Sequence, residues 1–406
     1  VMHEFFVDGA KSVRNLNIDG IDTSNVWYMA GMFACQDSGA TPKNPIDFSK
    51  INVSKVTDIS YMFFRSNFSS IDLSSWDTKR LKYVDGLFSG AIKPKNIDLS
   101  SWDVRSLLRT NKMFASAGTE HINLSGWNSN QLTDTSDMFL DTYALQTLNL
   151  DGFNTSNVTN MSGMFATSVV PNLNLFSFDT SKVTNMKSMF SNQPYITEIN
   201  FSNFNTSNVT NMGRLFYKNW IKKLDLSSFD TRKVIYMNAM FMEAYSVEEI
   251  NLSSFDTSNT WFMGNMFQNT HALKKLDLHN FNTQTVTHMQ YMFYNSGVPN
   301  LDLSNFNTSK VKDMKSMFGG LRNLEELNLS NFDTSNVENM SNMFAHAKKL
   351  KDGNMSEWDT SKAKNLSAMF YGASQFNQDL SNWNLSSASN LDGFIWSDDS
   401  FEQDNY

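Results

Sequence analysis

Three histidines, His271, His279 and His288, fall within eighteen residues of one another. Imidazole is the commonest metal-binding side chain, so such a density raises the question of a zinc site. Methionines three apart, such as Met186 and Met189 or Met340 and Met343, would suit a softer metal. Aspartate and asparagine recur at fixed intervals, as in Asp72, Asn149, Asp302 and Asp379, and a column of carboxylates could collect calcium. Serine is abundant, but none sits in a G-x-S-x-G turn, and there is no glycine-rich phosphate loop. Which of these chemistries is open to the chain depends on which side chains the fold brings together.

The elements that would position them repeat. In NLEELNLSNFDTSNVENMSNMF, from Asn323 to Phe344, apolar residues at Leu327, Leu329 and Phe332 precede a polar knot and then Val337, Met340, Met343 and Phe344. Aligned on L-x-L, the 406 residues give fifteen such units. The first starts at 16, the second at 46 and the last at 378, and every interval after the first is 25 or 26. A period of this size means a solenoid, in which no coil buries its apolar face alone.

The first leucine of the motif is taken as position 1. Position 3 is apolar and position 2 is Asp or Asn in every unit, the alternation of a short half-buried strand. Position 6 is aromatic in thirteen units, and position 7 is again always Asp or Asn, usually followed by Thr-Ser. Such side chains bond nearby backbone amides, turn the chain and cap a helix that starts there. Positions 11, 14, 17 and 18, for example Val183, Met186, Met189 and Phe190, have the spacing of one face of a short helix. The expected fold is therefore α/β: a curved leucine-rich-repeat-like solenoid of about fifteen repeats, each a strand, an Asx-Thr-Ser turn and a short helix. Strands spaced about 4.8 Å apart beside helices spaced about 10 Å apart predict strands on the concave side.

The repeat also answers the opening questions. The three histidines occupy a loop, position 4 and position 13, so they point in different directions. The methionine period is that of the core face. Caps and amide ladders explain the Asx columns better than calcium does, because asparagine alternates with aspartate and the G-G-x-G-x-D calcium spelling is absent. The expectation is no catalytic residue, no metal site and no cofactor, hence not an enzyme.

Where units depart from their consensus, the signal is sharper. Positions 12 and 13 are normally polar, as in Thr159-Asn160. The ninth unit instead has Ile235-Tyr236, the tenth Trp261-Phe262 and the eleventh Thr287-His288. Equal positions of neighbouring coils lie side by side, so these residues predict one aromatic patch, bordered by Trp220 and Tyr245, and such patches mark contact sites. The first unit repeats the theme with Trp27-Tyr28. A second candidate surface is the strand face, where Asx at position 2 alternates with Ser at position 4, interrupted by Phe176 and His279.

The net charge of −8 and the pI near 5.3 argue against nucleic acid as a partner. A single cysteine, Cys35, excludes an internal disulfide framework. No apolar run approaches the roughly 18 residues of a membrane span. The opening VMHEFFVDGAKSV has neither the basic end nor the apolar segment of a signal peptide. Recurrent Asn-x-Ser/Thr sequons fit a bacterial source.

With these residues in view, the L-x-x-L-x-L-x-x-F and D-T-S-x-V-x-x-M-x-x-M-F motifs resemble the repeat of BspA-like leucine-rich-repeat surface proteins of Gram-positive bacteria and mycoplasmas. Asn328, Ser330, Phe332, Asp333, Thr334, Val337, Met340 and Met343 match directly. The resemblance implies an extracellular adhesin or recognition module on the bacterial surface, binding a host matrix protein, a mucin or a cell-surface glycan, with no catalytic residues to carry over. The alternative is a spacer that presents another domain and has no ligand. Self-association is open to a solenoid with an aromatic patch. The expected organisation is an N-terminal cap over 1–15 with Phe5, Phe6 and Val7 on the open end, the solenoid over 16–395, and an acidic tail over 396–406. An excursion from Cys35 to Pro45 accounts for the long first interval.

Overall fold

The computed structural model describes residues 18–34, 46–170 and 172–396. The expected cap, the excursion from Cys35 to Pro45 and all of the expected tail but Trp396 lie outside them. The chain divides into two compact units, residues 1–208 and 209–406. Within each, successive coils are stacked by the same ladders.

In the first unit three short strands, β1 (Asn96–Asp98), β2 (His121–Asn123) and β3 (Thr147–Asn149), pair in parallel in that order. In the second, β4 (Lys223–Asp225) pairs in parallel with β5 (Glu249–Asn251). Register follows repeat position: Ile97 faces Ile122, Ile122 faces Leu148, and Leu224 faces Ile250. A slip by one residue would turn these side chains out and their polar neighbours in, so burial fixes the register. A second ladder runs at position 13. It links Tyr28, Asp58, Tyr83, Arg109, Asp134, Asn160 and Asn185 in the first unit, and Asn211, Tyr236, Phe262, His288 and four further residues up to Asn390 in the second.

The expected short helix is not formed. Among the described residues there is no α-helix; a 3₁₀ turn at Phe48–Lys50 is the only helical element. From position 14 onward the amides alternate their targets. In the sixth coil Met161, Gly163, Phe165 and Thr167 donate to carbonyls of the next coil at 2.8–3.1 Å, while Met164, Ala166 and Ser168 donate three residues back. Positions 16 and 20 are left-handed in coil after coil, for example Ala239 (φ 56°), Glu243 (φ 58°), Asn342 (φ 56°) and His346 (φ 58°). A helix keeps every φ near −60° and sends each amide to i−4. Here half of those amides are taken by the neighbouring coil, and overlapping turns replace the helix. The apolar spacing serves either arrangement, since Val158, Met161 and Met164 are fully buried.

The expected curvature loses its premise with the helices. Position-18 phenylalanines stack ring on ring from Phe33 to Phe190 at 5.5–6.1 Å. From Phe216 to Phe370 the spacing is 5.5–5.9 Å. Both sides of a coil therefore step at close to strand spacing rather than at the roughly 10 Å of packed helices.

Two further devices hold the coils together. Threonine at position 8 is buried, and its hydroxyl clasps the next coil in both directions. Thr155 Oγ1 donates to the Asp179 carbonyl and accepts from the Asp179 amide, each at 2.8 Å, and Thr257 does the same with Asn282. The carbonyl at position 3 accepts from the position-6 amide of its own coil, as Leu252 does from Phe255 at 2.9 Å, and takes a second hydrogen bond from a side chain of the following coil. Trp102 and Trp127 Nε1 donate to Leu73 and Leu99 at 3.3 and 2.9 Å. In phenylalanine coils Asn280, Asn305 and Asn331 Nδ2 at position 5 take over, reaching Leu252, Leu278 and Leu303 at 2.9–3.0 Å. The threonine clasp meets the requirement that buried backbone groups be paired, and the side-chain bond to position 3 ties adjacent coils together a second time.

Candidate recognition surface

Position 13 faces outward. In most coils its Asx side chain accepts from the amide two residues on, as Asn185 does from Lys187 at 3.0 Å and Asn339 from Ser341 at 3.1 Å. In the ninth to eleventh coils rings replace this polar turn, and the ladder sets them side by side. Tyr236 and Phe262 stack at 5.2 Å with 4° between planes, and Phe262 lies 5.3 Å from His288 at 32°. Tyr236 is 41% exposed, whereas Phe262 and His288 are half-buried. At position 12 the Trp261 amide donates to the Ile235 carbonyl at 3.0 Å; the Ile235 side chain is half-buried and Trp261 is 54% exposed.

Trp220 and Tyr245 belong to a parallel row at position 22, which continues to His271. Trp220 meets Tyr245 edge-on at 5.9 Å, and Tyr245 stacks on His271 at 6.4 Å. The Tyr245 hydroxyl donates to Glu243 Oε2 at 2.5 Å. Burial, with that carboxylate beside it, pushes the phenol up to about 12, so it stays protonated as a donor.

The structure adds Tyr291 and Tyr294, at positions 16 and 19 of the eleventh coil, whose rings meet edge to face at 5.7 Å. Applying the neighbour argument to every outward position, rather than to 12 and 13 alone, would have found them. Amides fill the ground between: Asn265 Nδ2 bonds Gln268 Oε1, and Gln290 folds over Gly264, where a Cβ would meet its amide at 2.8 Å. Positions 12–20 of these three coils carry one charged residue, Glu243.

The strand face holds a shallower feature, a depression of about 260 Å³ lined by residues including Glu249, Ser253, Lys275, Asp277 and His279. Its charges are internally paired, with His279 Nδ1 2.7 Å from Asp277 and Lys275 3.7 Å from Glu249. Phe176, at the same position as His279 in its own coil, is 82% exposed in the first unit.

The histidines that suggested a metal are engaged separately: His271 on Tyr245, His279 on Asp277, and His288 beside Thr287 Oγ1 at 2.8 Å. Among the described residues no three His, Cys, Asp or Glu side chains converge as ligands. The Asx columns are spoken for by backbone amides. The Ser181 hydroxyl and amide hold the Asp179 carboxyl below its usual range, and the Ser74 amide and hydroxyl do so for Asp72. Between coils Asn251 Nδ2 donates to Asp225 Oδ1 at 2.9 Å, which relieves the repulsion a pure carboxylate column would suffer. No helix among the described residues is long and apolar enough to cross a membrane.

A family model described as "Mycoplasma protein of unknown function, DUF285" matches four times in succession, over residues 1–127, 112–219, 194–306 and 297–406. No curated protein matches the sequence. Among solved structures the chain is similar to the functional domain of InlJ from Listeria monocytogenes, which includes a cysteine ladder, at 14% identity and a TM-score of 0.35, covering 79% of this chain and 62% of that one. It is also similar to a leucine-rich cell surface protein from Faecalibacterium prausnitzii, at 10% identity and a TM-score of 0.22, covering 89% and 74%. An internalin, InlF of L. monocytogenes, follows at 12% identity and a TM-score of 0.17, covering 74% and 75%. This chain thus spans less than two thirds of the InlJ domain. Scores this low leave the architecture to be read from the chain's own ladders.

Proposed function

The chain belongs to this DUF285 family, and from that premise we propose that it is a non-enzymatic recognition module of the bacterial cell surface. Its ligand is an uncharged glycan, free or carried on a host matrix protein or mucin. The observation that carries the reading is the in-register ring row Tyr236–Phe262–His288, with Trp261 exposed beside it, in three coils whose positions 12–20 carry a single charged residue, Glu243, itself paired with Lys218 at 3.4 Å. Aromatic faces bordered by amides present apolar area and neutral hydrogen-bonding groups together, the combination a sugar ring needs. Exposed aromatic side chains gathered in one place mark contact sites. The likeness of the repeat to BspA-like surface proteins supports placing it outside the cell.

The test is an array of neutral glycans and glycosylated matrix proteins probed with the purified chain. Saturable binding that weakens at least roughly tenfold in Trp261→Ala or Tyr236→Ala, with unchanged melting, supports the reading. A chain that binds nothing on the array is the spacer of the alternative reading, and binding that ignores both substitutions overturns the assignment of the ligand to this ring row.

A further inference from the structure

We propose that the turn face of the second to fourth coils, in the unit of residues 1–208, is a separate binding site for an anionic glycan bearing carboxylates or sulfates. It does not rest on the neutral-glycan reading, because it uses other residues and the opposite electrostatics. Positions 12–20 of these coils hold four cations, Arg65, Lys82, Arg109 and Lys112, against two carboxylates, Asp58 and Asp85, in a chain whose net charge is −8. Both carboxylates are already used. Asp58 Oδ1 accepts from the Ser60 amide at 2.8 Å, while Asp85 is buried, 2.7 Å from Arg109 and 3.1 Å from the Asn111 amide. Arg65 and Lys82 are exposed and have no ion-pair partner among the described residues.

The cations are braced by rings. The Arg65 guanidinium lies 5.1 Å over Phe64, and that of Arg109 lies 5.0 Å over Tyr83. The Tyr61 ring covers Gly86, where a Cβ would collide with it, and the Arg65 stem crosses Gly90, its Cγ 2.8 Å from where a Cβ would stand. Positive φ does not explain these glycines. The same positions of the next coil hold Lys112 and Ser116 at φ 56° and 57°, so the backbone tolerates side chains there. The glycines instead make room for Tyr61 and Arg65 to lie flat on the surface. Tyr61 remains 43% exposed and Tyr28, one coil earlier on the ladder side, 49% exposed.

Rings and guanidinium groups therefore alternate across coils that step about 4.8 Å, the scale of one sugar. The ring faces offer stacking area, and each guanidinium presents a fork that fits a carboxylate or sulfate. Single-stranded nucleic acid also uses rings and cations. It is the less favoured ligand here, because the rest of the chain is acidic and polyphosphate binding needs a longer basic track.

The experiment uses the full chain on immobilised heparin, which bears sulfates, and hyaluronan, which bears only carboxylates, with dextran and an oligothymidylate as comparators. Heparin or hyaluronan should bind in low salt and weaken as salt is raised, while dextran does not compete at this face. Arg65→Gln should lower affinity roughly tenfold, as loss of one charge-assisted contact does. Gly86→Ala should weaken it by displacing Tyr61, and Trp261→Ala, in the other unit, should leave it unchanged. Arg109→Gln removes the partner of buried Asp85 and can cost stability. Arg65→Gln, which breaks no ion pair among the described residues, therefore decides the question alongside a melting curve. Binding to heparin alone assigns sulfate, and binding to both glycans assigns carboxylate as well. Failure of both to bind, equal or tighter binding of the oligothymidylate, or an unchanged affinity in a folded Arg65→Gln chain overturns the proposal.

Discussion

In the second to fourth coils the outward positions hold cations braced by rings; in the ninth to eleventh the same positions hold rings and amides with one charge, Glu243. Beneath both runs the same scaffold: a phenylalanine column at position 18, threonine clasps at position 8 and, within each unit, a ladder at position 13. The difference teaches where freedom lies in such a fold. Inward positions are fixed by the coils above and below, whereas outward ones can be rewritten coil by coil, and register turns each rewriting into a contiguous patch.

The comparison can be broken most forcefully at the scaffold. Phe114→Ala in the first unit and Phe267→Ala in the second each remove a fully buried ring from its column, and each should cost about 3–5 kcal/mol in denaturant titration. Equal losses would support a common scaffold; a loss in one unit only would mean that the columns are not equivalent. Next come the clasps. Thr155→Val and Thr257→Val each orphan an amide and a carbonyl of the following coil and should cost about 1–3 kcal/mol apiece. Amide exchange should rise locally in the coils that follow.

Smaller in energy but decisive for function, Trp261→Ala should remove roughly 1.4 kcal/mol or more of binding while leaving the melting temperature alone. Its contrast with Phe267→Ala separates surface from support within one coil.

The smallest effect is in pH. Burial, with Arg322 and Lys348 nearby, holds the His346 imidazole below its ordinary value. Below about pH 6.5 the unfolded chain binds that proton more readily than the folded one, so stability should fall as the pH drops through this range. His346→Gln should flatten the fall. In the first unit burial raises the carboxyls of Asp85 and Asp137 above their usual range. Those two groups act with the opposite sign, gaining stability as pH falls through the carboxylate range and opposing the Asx carboxylates that hydrogen bonding holds low.

The period, the register and the Asx turns were legible in the sequence, because each is a matter of spacing and spacing survives in one dimension. The helix was misread for a physical reason. Val, Met, Met and Phe at positions 11, 14, 17 and 18 point inward whether the backbone is helical or a run of turns that lends alternate amides to its neighbour. The left-handed residues that distinguish the two, such as Ala239 and Glu243, are not glycines and carry no signal of their own. Position-8 threonine read as a turn residue, and only the neighbouring coil gives it a buried partner. The exchange between tryptophan at position 6 and asparagine at position 5 is visible in the sequence once both are known to reach the position-3 carbonyl of the preceding coil. Tyr236, Phe262 and His288 were placed together by register alone. Tyr291 and Tyr294 were missed because tyrosine at outward positions of a turn looks unremarkable until its neighbours are known.

Register is the claim on which both faces depend, and cross-linking tests it most directly. In a Cys35→Ser background, Tyr236→Cys with Phe262→Cys puts two thiols on adjacent rungs of the position-13 ladder, within disulfide reach, while Tyr236→Cys with His288→Cys puts them two rungs apart, beyond it. Mild oxidation should close the first pair and leave the second open. An open first pair, or a closed second one, would contradict the stacking from which both proposed faces follow.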